Sequence, residues 1–360
     1  ALQAAKSFEP ITYVGMFDSG VDYLFTLLVP ILAAESEKDT SLVAIDLSGL
    51  TTKEEVASEV GFALSEIESV APSPCDFAQL TRYVQNFAKK KRMIVVLYLG
   101  QEGQTASELF IFLNRLRNLL GWRFSYIIFT TTRLLLGSDH ARPLIDKVLK
   151  RNLVTVQPLD EENSNAVLAN YEERYAKALP PVLRRQVLEL AGGNPGLIKA
   201  LYLQASTSDS WGKPDILDER IYFRLEGIVY DTPENIREMV KKHRLRRTDS
   251  ALQPFYHFGY LVVADKTSYR LFSPLLDDFL NIYPMQGPKL KETPIMPNAE
   301  LLHLTKSQRT LLAYLEGRSG QLETKDDIAK VLWGDAWADL YSDWAIDQLV
   351  STLRKKMSTI

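Results

Sequence analysis

The sequence predicts an α/β domain built on a parallel sheet, followed by a chain that is mostly helical. Three observations predict it. Apolar, β-favouring runs alternate with helical stretches from Ile11 to Asp160. Residues 284–297 hold four prolines and no apolar period. Beyond them, apolar residues recur three and four apart in three short segments.

The bulk composition narrows the function. A chain of 360 residues exceeds one ordinary core, so two to four domains are expected. With 46% hydrophobic and 24% charged residues it is globular, not disordered. The longest apolar stretch, Tyr23–Ala34, is interrupted by Pro30 and reads as a core helix, so no membrane role is expected. No secretory signal is read, and a lone Cys75 forms no internal disulfide; a reducing cytoplasm is the expected location. Four histidines and one cysteine predict no metal site. A net charge of −3 excludes a protein that coats nucleic acid with its whole surface, so any DNA contact must be local.

The first domain is expected over residues 1–160. Its strands are Ile11–Phe17, Ser41–Leu47, Met93–Leu99, Phe124–Thr131 and Leu153–Gln157. Near-continuous apolar runs such as Met93–Leu99 mark strands buried on both faces, as in a parallel sheet. Helices are expected at Val21–Ala34, Lys53–Glu68, Asp76–Lys90 and Ala106–Leu120.

The first strand runs into a helix through Gly15-Met16-Phe17-Asp18-Ser19-Gly20-Val21-Asp22. A P-loop has this strand–loop–helix form: glycines let backbone N–H groups wrap phosphates, a Lys meets the terminal phosphate and a hydroxyl holds Mg²⁺. Gly15 and Gly20 keep the spacing, but Val21 replaces the Lys and Asp22 the Ser or Thr. The third strand ends in Tyr98-Leu99-Gly100-Gln101 without a metal-supporting acid, and Glu102 comes late. The reading is a degenerate P-loop NTPase-type sheet whose Gly15 and Gly20 are relics. No cofactor, catalytic residue or enzymatic activity is expected; His140, His243, His257 and His303 are scattered.

A helical lid is expected over 161–210 and an internal winged helix over 211–285. In Leu190–Ile198, Gly192-Gly193 can end a helix in a left-handed cap and Pro195 can open the next. Tyr260–Ala264 and Ser268–Phe272 read as a hairpin. The densest basic run, with Lys241, Lys242, Arg244, Arg246 and Arg247, is read either as a solvated face or as a second DNA-contacting patch.

A linker at 286–298 leads to the module at 299–360. Thr305 caps Lys306–Glu316, Thr324 opens Lys325–Leu332, and a third helix runs over Trp344–Met357. Ile346, Leu349, Val350, Leu353 and Met357 form its apolar stripe, and Trp344, Gln348, Ser351 and Lys355 lie opposite, flanked by Thr352 and Arg354. Three short helices with a polar face on the third describe a helix-turn-helix variant. Residues 299–360 hold eight Lys/Arg against nine Asp/Glu, so the acids must lie away from a bound groove.

Two resemblances extend this reading. Residues 10–285, through the relic loop, Phe112–Arg133, Leu190–Ile198 and Gly259–Phe279, resemble the STAND class of P-loop ATPases within the AAA+ and origin-recognition group. In that class the lid motif senses nucleotide, a property the altered loop puts in question. The C-terminal module resembles the DNA-binding domain of two-component response regulators through Leu304-Thr305, Leu311-Leu312, Thr324–Ile328, Val331–Gly334 and Ile346–Met357. That resemblance implies that the third helix enters the major groove of double-stranded DNA. Lys355, Arg354 and Ser351 would then hold phosphates, Gln348 would read adenine and Trp344 would pack on a sugar or thymine methyl. Thr352 stands where the family commonly has Arg, and the family's wing would begin where this chain reaches Ile360. The expected function is a DNA-binding transcriptional regulator on an inactive ATPase scaffold. The alternative is a signalling or defence adaptor using its winged helices for protein contacts or self-association.

Overall fold

The computed structural model describes residues 7–36, 38–48, 50, 52–68, 76–99, 106–136, 148–150, 152–207, 211–212, 214–216, 218–232, 234–241, 245–282, 306–318, 323–334, 346, 349–350 and 353. The first part runs β1 (Ile11–Gly15), α1 (Val21–Glu35), β2 (Thr40–Asp46), α2 (Lys53–Glu68), α3 (Phe77–Phe87), β3 (Arg92–Leu99), α4 (Ala106–Leu120), β4 (Phe124–Thr131), the short α5 (Arg133–Leu136) and β5 (Leu153–Val156). The five strands form one parallel sheet in the order β2-β3-β4-β1-β5.

Two-residue alternation explains why the central strands are apolar throughout. Met93, Val95 and Leu97 of β3, with Phe124, Tyr126 and Ile128 of β4, pack into a core with α2, α3 and α4. Their neighbours Ile94, Val96, Ile127 and Phe129 face the other way, onto Phe25 and Leu32 of α1. Strand β4 is buried along its whole length. The capping box at Asp76 and Gln79 fixes where α3 begins.

Helix α1 differs from the core helix that its composition suggests. It is continuous through Pro30, and it buries Val21, Phe25 and Leu32 against the sheet. Tyr23, Leu27 and Ile31 remain 66%, 45% and 38% exposed, one stripe at i, i+4, i+8. The sheet covers only one side of this helix, which explains the asymmetry.

The chain continues as α6 (Glu161–Arg174), α7 (Pro181–Ala191), α8 (Pro195–Thr207), α9 (Glu219–Asp231), α10 (Glu234–Lys241), α11 (Gln253–His257), the antiparallel pair β6 (Leu261–Val263) and β7 (Tyr269–Leu271), and α12 (Pro274–Ile282). One core spans all of this and includes Val14 and Met16, so the end of β1 is packed into the helical part. The linker at 286–298 lies outside the described residues. After it come α13 (Lys306–Gly317) and α14 (Lys325–Trp333), whose Leu311, Leu312, Ile328 and Ala329 bury against Ile346 and Leu353. Among the described residues, no helix is long and apolar enough to cross a membrane.

Candidate functional site

In an open parallel sheet, ligands sit beyond the carboxyl ends of the strands, where the strand order reverses. Here that point is the end of β1, which lies between β4 and β5 with Gly15 opposite Thr131 and Val156. The loop that follows turns through a bond from the Ser19 amide to the Met16 carbonyl at 3.1 Å. A Cβ on Gly15 would stand 2.1 Å from Ser19 Oγ, so only glycine fits. Gly20 takes a left-handed φ of 88° as the N-cap of α1. Asp18 is itself left-handed, with φ 57°, a conformation unusual for a residue bearing a side chain.

The chemistry around this loop is acidic. Val21 is 4% exposed and fills its space with hydrocarbon, so no cation stands in the first turn of α1. Asp22 and Asp46 are exposed at the strand ends, although many protein atoms stand around their carboxyls. Burial, with Asp18 as a like-charge neighbour, raises the Asp22 carboxyl above its ordinary value. Burial also raises Asp46, with smaller contributions from Glu59 and Asp22. The Tyr98 phenol near the end of β3 is pushed well up by burial and then by Asp22, Asp46, Asp18 and Asp231. A polyphosphate brought here would meet carboxylates on several sides.

The helical part closes on the loop from the other side. The Arg224 guanidinium of α9, whose side chain is 3% exposed, pairs with the Asp18 carboxylate. Asn194 Nδ2 donates to the Phe17 carbonyl at 3.1 Å, while its Oδ1 accepts from the Leu197 amide at 3.0 Å and caps α8. Phe17 packs edge-on against Phe223, and a Cβ on Gly227 would lie 2.4 Å from the Phe17 ring. A Cβ on Gly196 would lie 2.4 Å from Arg224 and 2.6 Å from Asp18. The loop thus carries its own anion, and the arginine of α9 is already neutralised by it.

Two neighbouring features join the same contact. Gly192 ends α7 with φ 58°, and a Cβ there would stand 2.2 Å from the Phe272 carbonyl oxygen. At the end of α9, Asp231 is 2% exposed, and its carboxyl is pushed up to about 8. Burial is the main cause, opposed in part by Arg133, the Phe17 amide and the Thr131 hydroxyl. Neither oxygen has a hydrogen bond of ordinary geometry among the described residues. The Thr132 and Tyr260 hydroxyls, 2.6 Å apart, tie the end of β4 to the internal winged helix.

Of the basic run, Lys241 is the last residue of α10, and Arg246 and Arg247 are exposed. Leu245 and Arg246 run beside the hairpin: Arg246 forms an isolated antiparallel bridge with Ser268, and the Tyr269 amide donates to the Leu245 carbonyl at 2.8 Å. Lys242 and Arg244 lie outside the described residues, as do Trp344, Gln348, Ser351, Thr352, Arg354, Lys355 and Glu102. Around the third helix, Ile346 and Leu353 are buried and Leu349 and Val350 pack against the same core. The Thr324 hydroxyl accepts from the Asp327 amide at 3.2 Å, and Gly334 closes α14 with φ 59°.

Sequence reasoning missed Asp18, Arg224, Asn194 and Asp231 as a group. One signal was present: Arg224 interrupts the stripe Ile221, Leu225, Ile228 at the i+3 position, where a charge must find a buried partner.

Residues 298–360 match the family described as transcriptional regulatory protein, C terminal. No curated protein matches the chain. Several solved structures share part of the trace, each with a TM-score below 0.5. They include a Walker-type ATPase of Pyrococcus abyssi, 16% identical over 76% of this chain and 91% of that one, with a TM-score of 0.48. The ORC2 protein of Aeropyrum pernix is 10% identical over 76% and 87%, with a TM-score of 0.43. The ORC1 protein of the same organism, solved in complex with DNA, is 12% identical over 78% and 90%, with a TM-score of 0.40. The chain therefore carries a C-terminal winged-helix domain of the transcription-regulator kind behind a five-stranded parallel α/β core.

Proposed function

We propose that this protein is a DNA-binding transcriptional regulator whose ATPase-like core serves as a scaffold and does not hydrolyse nucleotide. The observation that carries the first half is the match of residues 298–360 to the transcription-regulator family, in which a folded helix core presents a reading helix. In this reading Gln348 addresses base edges, Trp344 packs on sugar or methyl, and Ser351, Thr352, Arg354 and Lys355 hold the backbone. The second half is supported by Val21 and Asp22 in the loop and by the carboxylates at the strand ends.

Fluorescence anisotropy of genomic duplex fragments against the full chain tests the DNA assignment. The double substitution Gln348→Ala with Lys355→Ala should weaken binding by about tenfold or more. It should also flatten the salt dependence by about one phosphate contact. Unchanged affinity and salt slope in that variant would remove the third helix from the DNA interface.

A further inference from the structure

The internal winged helix holds a cavity of about 400 Å³ lined by residues of the Leu245–Arg246 segment, β7 and the start of α12. Binding cavities for small organic molecules typically span about 300–1,000 Å³ and combine an apolar lining with a few polar groups. This one has that composition. Val240, Leu245, Leu271 and Pro274 supply hydrocarbon, and Arg246 and Arg270 supply charge.

The two arginines are placed together by the strand register. Ser268, just before β7, and Arg270 on it are two apart and share a face, and the Arg246↔Ser268 bridge puts Arg246 on that face as well. Among the described residues neither has an ion-pair partner, although Asp277 of α12 stands on the same wall. The sheet edge adds a donor. The Tyr269 amide points toward Leu245 and the Phe272 amide toward the Tyr260 carbonyl. Strand alternation therefore turns the Leu271 amide to the same outer edge as that of Tyr269.

We infer that this cavity binds a small organic anion, a phosphate or carboxylate carrying an apolar body, with its anionic end between Arg246 and Arg270. Guanidinium groups bind such oxyanions in a fork, and the hydrocarbon floor takes the body of the ligand. The apolar part of the lining favours this over a nucleic-acid backbone, which has no hydrocarbon body to seat there. Asp277 accepts from a hydroxyl or ammonium on the ligand. The wall also touches the lid: Ser273 Oγ donates to the Leu190 carbonyl at 2.6 Å, and the Phe272 carbonyl sits over the Gly192 cap. An occupant thus leans on the segment that fixes the end of α7.

Phenyl phosphate is the probe, titrated into the full chain by calorimetry, with phenol as the uncharged control. Saturable binding of phenyl phosphate but not phenol is expected. It should weaken about tenfold or more in the Arg246→Ala, Arg270→Ala double variant, as lost charged hydrogen bonds require. Arg270→Gln, which keeps length and polarity, should show a large part of that loss without disturbing the strand. Gln348→Ala with Lys355→Ala should leave it unchanged, which separates this site from the DNA interface. Absence of saturable binding, or binding indifferent to both arginine variants, overturns the proposal. So does a result in which those variants weaken a short random duplex while phenyl phosphate never binds, for the face would then belong to DNA.

Discussion

Asp231 is a carboxyl whose ionisation the fold strongly opposes. Below the ordinary aspartate value of 3.8 it is protonated in both folded and unfolded chains and makes no difference. Between there and about 8 the unfolded chain releases a proton that the fold retains, so stability falls as pH rises through that window and the loss is complete above it. Asp231→Asn removes the titration and keeps the shape. Chemical denaturation should find parent and variant alike near about pH 4, with the variant gaining progressively to about pH 9. The gain should reach an order of several kcal/mol. A difference that stays flat across that range would mean the carboxyl is ionised in the folded protein. None of this is written locally in the sequence. Asp231 meets Thr131 and Phe17 only after the sheet and α9 have packed, and Asp18 meets Arg224 across 206 residues.

At the scale of elements, legibility followed burial. The full span of β4 could be read because every residue from Phe124 to Thr131 is apolar or small and buried, and α2 and α4 could be read from their periodicity. The first strand reads two residues too long, since Met16 and Phe17 are apolar for a different reason: they leave the sheet to pack against the helical part. Helix α1 was placed but its surroundings were not, because composition does not say on how many sides a helix is covered. The glycines of the lid motif were legible as caps, yet their intolerance of a side chain comes from Phe272 and Leu159, which lie far along the chain. Gly192→Ala forces a methyl against the Phe272 carbonyl and a left-handed φ on a residue that resists it. It should cost about 2 kcal/mol or more. A thermal melt within a degree or two of the parent would show that α7 and β7 can part without penalty.

Across the whole molecule, the loop at the switch point of the sheet is held by groups of the helical part. Arg224 reaches the loop and finds Asp18, and Asn194 finds the Phe17 carbonyl. ATP with Mg²⁺ should therefore release no binding heat and leave the thermal midpoint where it was. Affinity in the nanomolar to micromolar range, abolished by a Gly20 substitution, would return the loop to the nucleotide-binding class. The order of parts along the chain was legible from alternating runs, prolines and helix spacing. The closure was not, because it depends on two surfaces distant in sequence meeting face to face.

The Asp18–Arg224 pair has a thermodynamic consequence. An internal counter-ion is not consumed, so under the proposed reading of a core that does not hydrolyse nucleotide, no irreversible step gives the chain's states a direction. Its conformations then follow detailed balance, with populations set by the concentrations of what it binds. Any coupling between the arginine-lined cavity and DNA must be reciprocal: the factor by which one ligand alters the other's affinity is the same in both directions.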